Sequence, residues 1–114
     1  MRDKFLFICT GNIDRSPTAE GIFKGVGGIQ AKSAGTSPNA PNRLSEEMIR
    51  WSDKIFAMEE EHRTAILRLV PSAAEKTIVL GIPDVYKRDQ PELKKLIIEK
   101  MKPFIPEPLL GILE

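Results

Sequence analysis

The stretch Phe-Leu-Phe-Ile-Cys-Thr-Gly-Asn-Ile-Asp-Arg-Ser-Pro, residues 5–17, limits the folds open to this chain more than any other. Its apolar run from Phe5 to Ile8 lacks polar alternation, the pattern of a strand covered on both faces, as in a parallel sheet. Cys9, the only cysteine, stands at the strand's carboxyl end. Pro17 suits the first position of a helix, with Ser16 capping from just outside. In open α/β sheets, ligands bind in the crevice beyond the carboxyl ends of the strands. A loop of backbone N–H groups feeding a helix N-terminus is an anion site. A thiol at the base of that cradle is expected to be favoured as thiolate by the amide dipoles and by Arg15. A nucleophile aimed at a bound oxyanion, with phosphate foremost, is the chemistry these parts describe.

The rest of the chain continues the alternation of strand and helix. Strands are expected at about residues 4–9, 29–34, 54–58 and 77–80. The first helix is expected to carry Ala19, Ile22 and Phe23 and to end in the glycine-rich stretch 25–28. Residues 35–43, rich in proline, asparagine and serine, read as loop. Ser45 caps a short helix with Glu46 and Glu47 in its first turn. Residues 60–70 read as a helix whose inner face is Ala65, Ile66, Leu69 and Val70, stopped by Pro71. Pro91 opens a long helix through Leu93, Leu96, Ile97 and Met101, and residues 109–113 read as one further turn. Such alternation predicts βαβ units and a three-layer α/β/α fold around a four-stranded parallel sheet. At 114 residues the expectation is one domain, residues 1–114.

Attack on a phosphate monoester needs a grip on the dianion, stabilisation of developing charge and a proton for the leaving oxygen. The planar guanidinium of Arg15 suits bidentate grip, and the loop Thr10, Gly11, Asn12, Ile13 and Asp14 supplies backbone N–H donors. Cys9 would attack in line and form a phosphocysteine. Ser16 would donate a hydrogen bond to the sulfur, and Asp84, in a loop at the same sheet edge, is the candidate acid. A lone cysteine is more often a small buried hydrophobe, and an aspartate after a proline often only shapes a turn. The apolar strand, Gly11, Ser16 and Pro17 around Cys9 tip the reading to a nucleophile. His62, in Glu59-Glu60-Glu61-His62-Arg63, reads as a solvated surface residue beside helix N-terminal charge, and Arg88 and Asp89 as surface. Trp51 reads as the aromatic by which a short amphipathic helix packs on the core.

The segment Cys-Thr-Gly-Asn-Ile-Asp-Arg-Ser-Pro-Thr-Ala-Glu, Cys9 to Glu20, resembles the N-terminal signature of low-molecular-weight protein tyrosine phosphatases. The likeness continues in Ser33-Ala34-Gly35-Thr36, in residues 52–58 and in Ile82-Pro83-Asp84-Val85-Tyr86, in the family's order. It implies Cys9 as nucleophile, Arg15 as phosphate clamp and Asp84 as general acid. It also implies Asn12 as the residue that shapes the loop by hydrogen bonds and Tyr86 as a wall beside the substrate ring. Three departures stand out. Asp14 occupies the place of a second loop cysteine, residues 36–45 and the C-terminal region are short, and Val85 replaces a proline. A disulfide switch within the loop is therefore excluded.

The function expected is hydrolysis of phosphotyrosine or another aryl phosphate, on a protein or a small molecule. A binding module for phosphate or phosphopeptides, switched off by Asp14, is the alternative from another class. Arsenate reduction ranks lower, because it would need an external thiol where further cysteines normally relay the disulfide. Seventeen basic against sixteen acidic residues give no footprint for nucleic acid, and no apolar run approaches the roughly 18 residues of a membrane span. No metal or organic cofactor is implied, a single cysteine fits a reducing, cytoplasmic setting, and the expected state is a monomer or weak dimer.

Overall fold

The computed structural model describes residues 3–113. Four strands, β1 (Lys4–Cys9), β2 (Gln30–Gly35), β3 (Lys54–Ala57) and β4 (Thr77–Val79), form one sheet in the order β2-β1-β3-β4. All three pairings are parallel, with Cys9 opposite Gly35, Ile8 opposite Ala57 and Ala57 opposite Val79. The chain leaves β1 to one side for β2 and returns past it to β3. The carboxyl ends of β1 and β3 therefore flank the point where the winding reverses, and the loops above them border one crevice.

The uninterrupted apolar sequence of β1 has its cause in this central position, since Phe5 to Cys9 are all buried. One face of the sheet packs Phe5, Phe7, Phe56 and Met58 against Ala19 and Phe23 of α1 (Arg15–Phe23) and Leu93, Ile97 and Met101 of α4 (Pro91–Met101). All five phenylalanines lie on this side; Phe7 and Phe56 stack at 5.4 Å and Phe56 meets Phe104 edge-on at 5.3 Å. The other face packs Leu6, Ile8, Ile55 and Ala57 against Ile49 of α2 (Glu46–Trp51) and Ile66 of α3 (Glu60–Leu69). The terminal α5 (Glu107–Leu113) leans Leu109, Leu110 and Leu113 on the first core. None of the helices is long and apolar enough to cross a membrane among the described residues.

Helix starts and faces differ from expectation at four places. α1 begins at Arg15 rather than Pro17, with Asp14 at the cap position, so Ser16 lies inside the helix and is fully buried. Ser45 does cap α2, accepting from the Met48 amide. The inner face of α3 is His62, Ile66 and the following Val70, at four-residue spacing; Leu69 is exposed and Ala65 half-buried. His62 is thus not on the surface: none of it is exposed. Trp51 is half-buried and outside both cores, with the Lys32 ammonium 4.3 Å from its ring centroid. Ile49 occupies the buried side of this helix, and Trp51, two residues on, lies about 200° round the axis from it.

Candidate active site

Cys9 ends β1 with its sulfur at the floor of a loop formed by residues 10–14. The Asn12 backbone N–H donates to Sγ at 3.2 Å, and the Ser16 hydroxyl lies 3.0 Å from it. A chain of hydrogen bonds sets the direction of that last contact. Ser33 donates to the Glu20 carboxylate at 2.5 Å, so its oxygen accepts from Asn12 Nδ2 at 3.0 Å. The other Nδ2 hydrogen goes to Ser16 Oγ at 3.0 Å, which leaves the Ser16 hydrogen for the sulfur or, more distantly, for the Ala34 carbonyl at 3.4 Å. Asn12 takes a left-handed backbone conformation (φ 53°), which asparagine tolerates better than most residues, and so shapes the loop while anchoring this network.

The segment after β2 fixes the loop from one side. Amides of Thr36 and Ser37 donate to the carbonyls of Cys9 and Thr10 at 3.0 and 2.9 Å. In a trans peptide the C=O and N–H point oppositely, so the Thr10 and Gly11 amides face away from this segment. Gly35 permits the approach: a Cβ there would stand 2.6 Å from the Thr10 carbonyl oxygen and 2.7 Å from Ala40 Cβ.

Arg15 is 2% exposed, and its guanidinium is held from two loops. Nη1 donates to Glu59 Oε1 at 2.5 Å and to the Ile82 carbonyl at 2.8 Å, while Nε is 3.7 Å from Asp84 Oδ1. With Nη1 engaged on both sides, the Nε and Nη2 edge is the one left to grip an oxyanion. Glu59 follows β3 and caps α3 in a reciprocal box with His62: the Glu59 amide donates to His62 Nδ1 at 3.0 Å. His62 Nε2 lies 2.8 Å from Thr10 Oγ1. Burial, followed by the Arg15 charge, lowers the His62 pKa against the opposing pull of Glu61, Glu59 and Asp84.

Cys9, Thr10, Gly11, Ile13, Asp14, Arg15 and Asp84 line one small pocket of about 230 Å³. Asn12 and Ser16 lie beneath it, buried. Asp84 is largely exposed, and Ile13 projects with more than half its surface in solvent. Tyr86 is half-buried against the phenylalanine-rich core and is not among the residues lining the pocket. The Asp14 carboxylate turns to the loop that carries Asp84, accepting from the Arg88 amide at 2.9 Å. Arg88 and Asp89 are exposed side chains, yet their backbone is tethered, since the Asp89 amide donates to Thr18 Oγ1 at 2.9 Å. Glu59 and His62 are the site groups that sequence reasoning missed; the signal present was the Glu59-to-His62 spacing of a capping box. Among the described residues no group of three or more His, Cys, Asp or Glu side chains is placed to hold a metal ion.

A thiol with two donors, a fixed guanidinium and a carboxyl group around one pocket are the groups that attack on a phosphate ester would need. Residues 4–51 match the family model for low molecular weight phosphotyrosine protein phosphatase. The low molecular weight protein-tyrosine-phosphatase Etp of Escherichia coli K12 is 31% identical over 77% of this chain and 80% of its own length. The chain belongs to the low-molecular-weight protein-tyrosine-phosphatase family. It is a cysteine-dependent phosphatase. Its relatives within that reach include a protein-arginine-phosphatase of Geobacillus stearothermophilus, 29% identical over 68% of each chain. The fold of this phosphatase matches the tyrosine phosphatase Wzb of Escherichia coli K30, solved with phosphate, at a TM-score of 0.74. That match covers 91% of this chain and 96% of Wzb at 26% identity.

Proposed function

We propose that this phosphatase hydrolyses aryl phosphate monoesters of the phosphotyrosine type through a phosphocysteine at Cys9. The observation that carries the reading is the placement of Cys9, Arg15 and Asp84 on one pocket, with Ser16 and Asn12 hydrogen-bonded to the sulfur. The Cys9 thiolate attacks phosphorus in line, forming the S–P bond as the P–O bond to the aryl group breaks. Asp84 supplies the proton to the leaving phenolate oxygen. Water then attacks phosphorus, its proton passing to the Asp84 carboxylate, and the thiolate departs into the Ser16 hydrogen bond. The Arg15 edge and the loop amides hold the equatorial oxygens throughout.

Substrate class follows from the rim. The exposed, apolar Ile13 borders the pocket and offers packing surface to an aromatic ring; a phosphoguanidine would set a polar group against it. The Asp14 carboxylate accepts from the Arg88 backbone amide, which supports reading it as turned to the Asp84 loop and weighs against the binding-module alternative.

Pre-steady-state hydrolysis of an aryl phosphate tests the reading. The native protein shows a burst of phenol, Cys9→Ser loses turnover but still binds inorganic phosphate, and Asp84→Asn loses about 10²–10⁴ in kcat. Turnover by Cys9→Ser overturns the mechanism. A higher kcat/KM on a phosphoarginine peptide than on the matching phosphotyrosine peptide overturns the substrate class.

A further inference from the structure

His62 is the single histidine, is fully buried and plays no part in the reaction steps above. Its two ring nitrogens have fixed partners. Nδ1 accepts from the Glu59 backbone N–H at 3.0 Å, and a nitrogen that accepts carries no hydrogen. In the neutral ring the hydrogen therefore sits on Nε2, which donates to Thr10 Oγ1 at 2.8 Å. The Thr10 oxygen is used as acceptor on that side, and its own hydrogen must point elsewhere. Thr10 is exposed and lines the pocket beside Cys9 and Arg15.

We propose that the Thr10 hydroxyl is a side-chain donor to the oxyanion held over Cys9, and that His62 is the positioning residue that aims it. This rests on the reading of Cys9 as the phosphate site. A free threonine hydroxyl rotates among several acceptors; one that already accepts from a buried, rigid imidazole has its hydrogen restricted to the remaining directions. The groups facing His62 are Glu59 and Glu61 from its own helix, Thr10 and Arg15 from the phosphate loop and Asp84 from the loop after β4. Burial and Arg15 favour the neutral ring, which preserves the acceptor at Nδ1 for the Glu59 amide and so leaves the one ring hydrogen on Nε2.

The experiment measures inorganic phosphate as a competitive inhibitor of aryl phosphate hydrolysis, and by calorimetry, in the full chain. Thr10→Val keeps the shape and removes the hydroxyl; affinity for phosphate falls about tenfold, the scale of one hydrogen bond to a charged acceptor. Thr10→Ser restores most of it. His62→Asn keeps an acceptor for the Glu59 amide but cannot reach Thr10, and it weakens phosphate by a smaller factor that disappears in the Thr10→Val background. The ¹⁵N shifts of His62 report the Nε2–H tautomer. Unchanged phosphate affinity in Thr10→Val, losses that multiply in the double variant, or an Nδ1–H tautomer overturns the proposal while leaving the phosphatase reading intact. A native protein that neither binds phosphate nor turns over overturns both.

Discussion

Cys9 has its surroundings set by residues that hydrogen-bond in a fixed order, from Glu20 through Ser33 and Asn12 to Ser16. That order depends on how closely β2 approaches the loop, and Gly35 is the limiting residue. Gly35→Ala drives a methyl group into the Thr10 carbonyl, a backbone atom that cannot swing aside. Urea denaturation should show a loss of about 1–3 kcal/mol, with weaker phosphate binding than native in the folded fraction. Cys9, Arg15 and Ser16 were legible in the sequence because the loop that joins them is local, seven residues from sulfur to serine hydroxyl. Glu59 was not, since its meeting with Arg15 spans 44 positions and arises only when β3 pairs with β1. His62 reads as polar helix start in any short window; it is buried because the start of α3 lies over the loop that follows β1.

Between elements, the loop that carries Asp84 is held by two side chains at the phosphate-loop end of α1. Asp14 holds the Arg88 amide and Thr18 holds the Asp89 amide, where Asp89 itself adopts a left-handed conformation (φ 61°). Asp14→Ala removes one tether. The loss of a single exposed hydrogen bond corresponds to at most about a tenfold fall in kcat, greater for phenyl phosphate than for an ester whose leaving group needs no proton. Asp14→Asn retains an acceptor oxygen and should stay near native; Asp14→Cys should fall with alanine. Equal kcat in all four proteins would show that the tether plays no part in catalysis. The sequence placed Asp84 at the correct sheet edge through the alternation of elements. It gave no sign of the tether, because an aspartate before Arg15 and an amide 74 positions later have no shared local pattern.

At the scale of the whole molecule, the sheet separates an aromatic core from an aliphatic one, and the strand pattern made that fold legible. Trp51 and Leu69 were misread because the apolar residues of a short helix do not by themselves say which side of it meets the sheet. Folding also depends on pH through His62. Its folded pKa lies below the usual 6.5, so the unfolded chain takes up the proton first as pH falls. Stability from the neutral ring is fully present above about 6.5 and is lost as pH falls from there through the lowered folded value. Thermal unfolding across pH 7.5 to 4.5 should show that decline in the native protein and a shallower one in His62→Asn; parallel curves would remove His62 as its source.

Arg15 enters the pocket with Nη1 occupied by Glu59 and the Ile82 carbonyl. A carboxylate so close offsets most of the guanidinium's field beyond a few ångströms, so the arginine does little to draw anions from a distance. What remains is a short-ranged edge with a fixed heading. On the mechanism proposed above, this edge and the loop amides test only whether three phosphoryl oxygens fit them at once, which every phosphate monoester offers, so the choice among esters falls to contacts outside the cradle, with Ile13 at its rim.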